Sequence, residues 1–435
     1  MRPTLPFVVT ALLSASCAPP ADPPEVQSAV YAEAPTAAQL ISLDQSAALR
    51  AQFEPSFASW TDGGDLSRYV YLNASEFWSQ IVLSEGDFVR PLGAASPEAG
   101  AEVRDFLVAF QRGERTVSDY VGDSPTDGAI VVHEGRIVFE DYPRMAPKDK
   151  HIWFSVSKTF VSTAVAILED RGQIDADAPI DTYLTELAGT AWAGIPIVDI
   201  LDMASGIDCP EVKSDPDSCF WEFYDAFGWP VTSRVQDDAM ATVPAMETLR
   251  PSGEVFDYTS VNTEVLNRLV EVVSGERFSD FVEREIWRPA GPASDALIGT
   301  TANGAAFSAG GVSSTLRDLA RYGMLFTDAV RAQGDPVISD AYMEKIQLGG
   351  RPELTIVNAD EWPRTALPDD SFEHNSYQWD IVTSDGHFFK SGFGGQGLYV
   401  APEQNLVVAW FGTQDERGST EMLTVARELA TSGAW

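Results

Sequence analysis

Lysine is scarce in this chain, and two of its six lysines (148, 150, 158, 213, 345 and 390) stand beside serines in contexts that invite chemistry. In "FSVSKTFVSTAVAILEDRG", residues 154–172, Ser155 and Lys158 are spaced S-x-x-K. On a helix, positions i and i+3 share a face, so the lysine amine can reach the serine hydroxyl. Ser157 points elsewhere, which leaves Ser155 as the nucleophile candidate. The segment is otherwise apolar on nearly every side, and a helix apolar all round is a buried one. A lysine buried there loses part of its basicity and becomes a usable neutral base near pH 7. The start of the helix offers unpaired N–H groups to a developing oxyanion.

Two further stretches add to this pair. "FDYTSVN" supplies Tyr258 and Ser260 just ahead of a predicted helix, and "FFKSGFGGQG" supplies Lys390, Ser391 and Gly392 on a predicted strand. Glycines there permit close backbone approach. Gly392, Gly394 and Gly397 also spell G-x-G-x-x-G, but a strand follows where a dinucleotide fold requires a helix, so that reading is rejected. No G-x-S-x-G elbow is present, and no histidine is placed as a triad base.

These residues need elements to position them. "GAIVVHEGRIVFEDY" (128–142) reads as a β-hairpin about "HEGR", and strands return after residue 375 in "HFFKSGF", "GLYVAPE" and "NLVVAWFG". Between them "VDILDMAS", "TEVLNRLVEVVSG", "RFSDFVEREIW" and "TLRDLARYGMLFTDAV" show helical spacing, and "STEMLTVARELATS" closes the chain as a helix. The expected fold is α/β: an antiparallel sheet built from both ends of the domain, flanked by helices, with an all-helical lobe inserted and a cleft between. Residues 46–125 read as an accessory segment and 126–435 as the main domain.

The composition bounds the partners. With 29 basic and 65 acidic residues the formal net charge is −36, which argues against nucleic acid or an anionic membrane surface. The opening "MRPTLPFVVTALLSASC" has one Arg and an apolar run too short to span a bilayer, the pattern of an export signal. Its end is similar to the bacterial lipoprotein signal, with Cys17 as the lipidated residue and Ser14 as a departure. A Pro/Ala-rich tether, residues 18–45, follows. Membrane contact is therefore expected only through that anchor. In an oxidising compartment the two remaining cysteines, Cys209 and Cys219, are expected to form a disulfide. Four scattered histidines form no ligand cluster, and no metal is predicted.

Ser155, Lys158, Tyr258 and Lys390-Ser391-Gly392, in that chain order, resemble the constellation of the serine β-lactamase-like family. That family includes class C β-lactamases, D-alanyl-D-alanine carboxypeptidases, esterases and 6-aminohexanoate-dimer hydrolases. "DILDMASGI" and "GGVSSTLRDLARYGML" support the resemblance, and "YQWDIVTSDGHFFKSGFGGQGLYVAPEQNLVV" is similar to the 6-aminohexanoate-dimer hydrolase branch. The resemblance implies acyl-enzyme catalysis on a small ester or amide without a cofactor. Ser155 would be acylated, Lys158 would take its proton, and Tyr258, held as a partial phenolate, would serve as base and acid. Lys390, Ser391, Gly392 and Ser260 would meet the substrate, and the backbone N–H groups of Ser155 and Phe393 would form the oxyanion hole. Class C enzymes carry Tyr-x-Asn where this chain has Tyr258-Thr259-Ser260, which favours an esterase or linear amidase over a β-lactamase. A carboxypeptidase and a non-catalytic binding lipoprotein are the competing expectations.

Overall fold

The computed structural model describes residues 47–48, 63–110, 113–211, 215, 217–227, 238–301, 303–334, 336–358, 366–414 and 421–435. Residues 1–45, with the proposed signal, Cys17 and the tether, lie outside them. Fourteen strands are present among the described residues. The main sheet has the spatial order β10-β11-β12-β13-β14-β5-β6-β2, where β2 is Gly93–Ala94, β5 Thr126–His133, β6 Arg136–Asp141, β10 Phe372–Ser376, β11 Trp379–Thr383, β12 Phe388–Gly392, β13 Gln396–Ala401 and β14 Leu406–Gly412. All its pairs are antiparallel except the edge pair of β2 with β6. The β14–β5 pair, with Val408 opposite Val131 and Trp410 opposite Ala129, joins the C-terminal strands to the N-terminal hairpin. The sheet is thus built from both ends of the domain, as expected.

The hairpin itself follows from its turn. Glu134 and Gly135 both take positive φ (49° and 75°), the two-residue geometry that matches the twist of the flanking strands. Along β5 the side chains alternate between two cores. Ile130 and Val132 face the large core containing the helical lobe, while Ala129 and Val131 face a second core closed by Met422, Leu423, Val425 and Leu429. Those last four lie on the C-terminal helix Glu421–Ser432.

In sequence, the predicted helices lie between the two halves of the sheet. Two matter most, α1 (Lys158–Asp170) and α2 (Ser260–Ser274), which pack against one another. Every α1 residue from Lys158 to Leu168 is buried, as its apolar pattern requires. The inserted region also carries two strands that the sequence pattern did not single out. They are β8 (Ala296–Gly299) and β9 (Val312–Ser314), in a small antiparallel sheet of order β1-β8-β9-β7 with β1 (Gln80–Leu83) and β7 (His151–Ile152). β3 (Leu107–Phe110) and β4 (Gly113–Thr116) form a separate hairpin. Because β1 pairs into the small sheet and β2 into the main sheet, the described residues between 63 and 110 are knitted into the body of the protein. Among the described residues no helix is long and apolar enough to cross a membrane.

Candidate active site

Ser155 lies in a single 3-10 turn, Phe154–Ser157, immediately before α1. Phe154 takes φ 45°, a left-handed conformation costly for a bulky residue and found at sites that the surrounding structure over-determines. The determinants are visible. Phe154 packs edge-on against Tyr71 (4.9 Å between centroids) and Phe393 (5.5 Å), and β12 runs hard against the preceding residue. A Cβ at Gly392 would stand 2.3 Å from the Trp153 carbonyl oxygen, so only glycine allows this approach.

Lys158 begins α1 and is fully buried. Its Nζ donates to Ser155 Oγ at 3.1 Å, to Ser260 Oγ at 2.8 Å and to the Ala309 carbonyl at 2.8 Å. Burial pushes the amine down to about 7; Lys390 adds to the depression, while Glu211, Glu264 and Asp380 oppose it. A lysine with that basicity is divided between its charged and neutral forms at neutral pH.

Tyr258 stands where the sequence places it, hydrogen-bonded to Ser155 and receiving a 3.3 Å hydrogen bond from Lys390 Nζ. The ammonium groups of Lys158 and Lys390 lie 5.3 and 4.8 Å from its ring centroid. Burial, then the carboxylates Asp380 and Glu211, push the phenol well above its ordinary value of 10.0, which works against the expected partial phenolate.

The residues expected to meet the substrate also have partners within the protein. Lys390, in β12, is fully buried in an ion pair with Asp380 of β11. Asp380 Oδ2 also accepts the Ser391 N–H at 2.8 Å and the Ser391 hydroxyl at 2.6 Å. Ser260 accepts from Lys158 and donates to Glu211 in a short hydrogen bond. Ser260, Lys390 and Ser391, expected to meet the substrate, therefore spend these polar groups inside the protein, and Gly392 acts by letting β12 close on Trp153. Ser155, Tyr258, Ser391, Phe393 and Glu211 keep partial exposure, whereas Lys158, Ser260, Asp380 and Lys390 are buried.

Three carboxylates of this site carried no motif. Asp380 was legible in principle: the hairpin about "TSDG" pairs Ile381 with Phe389, which sets residues 380 and 390 side by side. Glu264, one turn into α2, accepts from Ala309 N (2.7 Å), Ser308 Oγ (2.9 Å) and Asn267 Nδ2 (3.1 Å). It thereby holds Ala309, the residue whose carbonyl accepts from Lys158, and its burial raises it to about 7. Glu211 comes from a loop with no local signal. Cys209 and Cys219 are joined in a disulfide across that loop. Among the described residues no cluster of three His, Cys, Asp or Glu is arranged to hold a metal.

The family model for β-lactamases matches residues 114–431. The chain is 30% identical over 358 residues to the 6-aminohexanoate-dimer hydrolase of Paenarthrobacter ureafaciens, covering 82% of this chain and 87% of that protein. Among solved structures, one from Bacillus anthracis, named provisionally as a 6-aminohexanoate-dimer hydrolase, matches with TM-score 0.70 and 21% identity over 88% of this chain and 98% of its own. A D-stereospecific amidohydrolase from Streptomyces shares the fold more distantly, with TM-score 0.55 and 15% identity over 78% and 99%. The match to the family model over most of the chain, together with the relative at 30% identity, places this protein in the β-lactamase family, as a serine hydrolase.

Proposed function

We propose that the protein is an acyl-serine hydrolase of small linear amides or esters, with Ser155 as nucleophile and Lys158 as its base. The observation that carries this is the 3.1 Å contact between Ser155 Oγ and a buried amine whose basicity is lowered to about 7. Neutral Lys158 takes the Ser155 proton as Oγ forms a bond to the substrate carbonyl carbon, and the carbonyl electron pair moves onto oxygen. The N–H groups of Ser155 and Phe393 receive that oxyanion. Collapse breaks the bond to the leaving group, which departs with a proton relayed by the neutral Tyr258 hydroxyl and replaced from Lys158. Water then repeats the sequence on the acyl-enzyme, returning the acid and free Ser155.

The charges around Lys390 disfavour a substrate that presents a carboxylate there, whether a β-lactam or a linear amide. Lys390, the cation that would attract a carboxylate on the substrate, is already paired with Asp380, and Glu211 adds a further negative charge nearby. The relative named for the 6-aminohexanoate dimer adds weight to the amide reading. The disulfide suits an exported protein. The test is a panel of p-nitrophenyl esters, linear amides including 6-aminohexanoate dimer, penicillins and cephalosporins. Turnover of an ester or linear amide, with slower or no β-lactam hydrolysis, is expected. Turnover of β-lactams alone would overturn the preference.

A further inference from the structure

The Cys209–Cys219 loop, remote in sequence from every catalytic motif, ends at the general base. Glu211 lies two residues after Cys209, and its Oε1 accepts the Ser260 backbone N–H at 3.0 Å as well as the Ser260 hydroxyl. That hydroxyl accepts from Lys158 Nζ at 2.8 Å. Carboxylate, hydroxyl and amine therefore form one chain, and the carboxylate also sits at the start of α2, where the helix dipole favours negative charge. The other cysteine reaches the same point. Cys219 begins the helix Cys219–Tyr224, and Tyr224 at its end hydrogen-bonds the Ser260 side chain. Both arms of the disulfide converge on Ser260.

We propose that Glu211 is a positioning residue for Lys158: held in place by the Cys209–Cys219 disulfide, it fixes the Ser260 hydroxyl and biases the charge state of the general base through it. The proposal rests on the assignment of Ser155 and Lys158 made above. Glu211 is partly exposed and belongs to a loop, so without the cross-link its chain would lose conformational entropy each time the carboxylate docked. The other groups facing Lys158 are Glu264 and Asp380, which favour its charged form, Lys390, which opposes it, and the neutral Tyr258 and Tyr224. Glu211 leads the groups that oppose the depression.

The test is the pH profile of kcat/KM with p-nitrophenyl butyrate for the wild type, Glu211→Gln, the double variant Cys209→Ser/Cys219→Ser, and Ser155→Ala. Loss of the carboxylate makes Lys158 easier to deprotonate, so in Glu211→Gln the acidic limb moves down by about one pH unit. Activity at pH 6 relative to the plateau then rises about fivefold, even as the plateau falls. The double variant moves the limb in the same direction, and Glu211→Asp restores part of the shift. A purely structural role would lower the plateau and leave the limb in place. An unmoved limb in Glu211→Gln, with Ser155→Ala inactive, overturns the role of Glu211 alone. An unmoved limb in the cysteine variant overturns the role of the disulfide. Full activity in Ser155→Ala overturns the assignment on which both rest.

Discussion

Replacing Lys158 by Met separates the lysine's cost to the fold from its use in the reaction. Lys158 is pushed from 10.5 down to about 7 in the folded protein, chiefly by burial. Between those values the unfolded chain holds one proton more than the folded chain, so this residue makes the stability of the wild type rise with pH. The rise approaches about 1.4 kcal/mol per pH unit above pH 7 and amounts to about 2 kcal/mol between pH 7 and pH 9. Met at this position has no proton to exchange. The stability of the wild type minus that of Lys158→Met is therefore expected to be flat below about pH 6 and to climb with that slope above 7. Glu264, raised by burial from 4.5 to about 7, makes stability fall with pH between those values in both proteins, and so largely cancels from the difference. The assay is urea unfolding of both proteins with the disulfide intact at pH 5 to 9, in matched salt. A difference that stays constant from pH 5 to 9 would mean that Lys158 keeps ordinary lysine basicity, and it would then be no neutral base for Ser155.

Other expectations follow from the same contacts. Asp380→Ala leaves Lys390 buried without its partner and should cost about 3–5 kcal/mol in urea unfolding, whereas the double change Asp380→Leu/Lys390→Met should cost much less. Tyr258→Phe removes only the hydroxyl between Ser155 and Lys390, so it should lower kcat about 10²–10⁴-fold with little change in Tm. Gly392→Ala must move the backbone away from the Trp153 carbonyl; it should lose both activity and about 1–3 kcal/mol of stability. Ser157→Ala should keep its activity, since its hydroxyl only accepts the Val312 N–H at 3.2 Å, and should lose about 1 kcal/mol of stability.

Spacing and residue type made part of this site readable before any coordinates. Ser155 and Lys158 are three apart on one helix, and a lysine in a helix with no polar face has few reasons to be there. Tyr258 and Lys390 were found by their settings, one before a helix and one on a glycine-bounded strand, and the fold brings Tyr258 to Ser155 and Lys390 to Tyr258. The β5–β6 hairpin and the three C-terminal strands were legible because their alternation and turn residues are local. What sequence did not disclose is long-range: β1 finds β8 across some 200 residues, and Glu211 meets Ser260 from a loop with no periodicity. Charge state was the other gap. Two lysines near Tyr258 pointed to a phenolate, but Asp380 and Glu211 stand nearby as well and burial outweighs the rest. A motif names the cations; only the packing shows which anions already hold them.

The most direct test of the account is intact-mass analysis after exposure to a fluorophosphonate probe, on the wild type, Ser155→Ala and Ser157→Ala. One adduct on the wild type and on Ser157→Ala, with none on Ser155→Ala, is the predicted result. An adduct that persists on Ser155→Ala, or no adduct on any of the three, would contradict the claim that Ser155 is a nucleophile poised by Lys158.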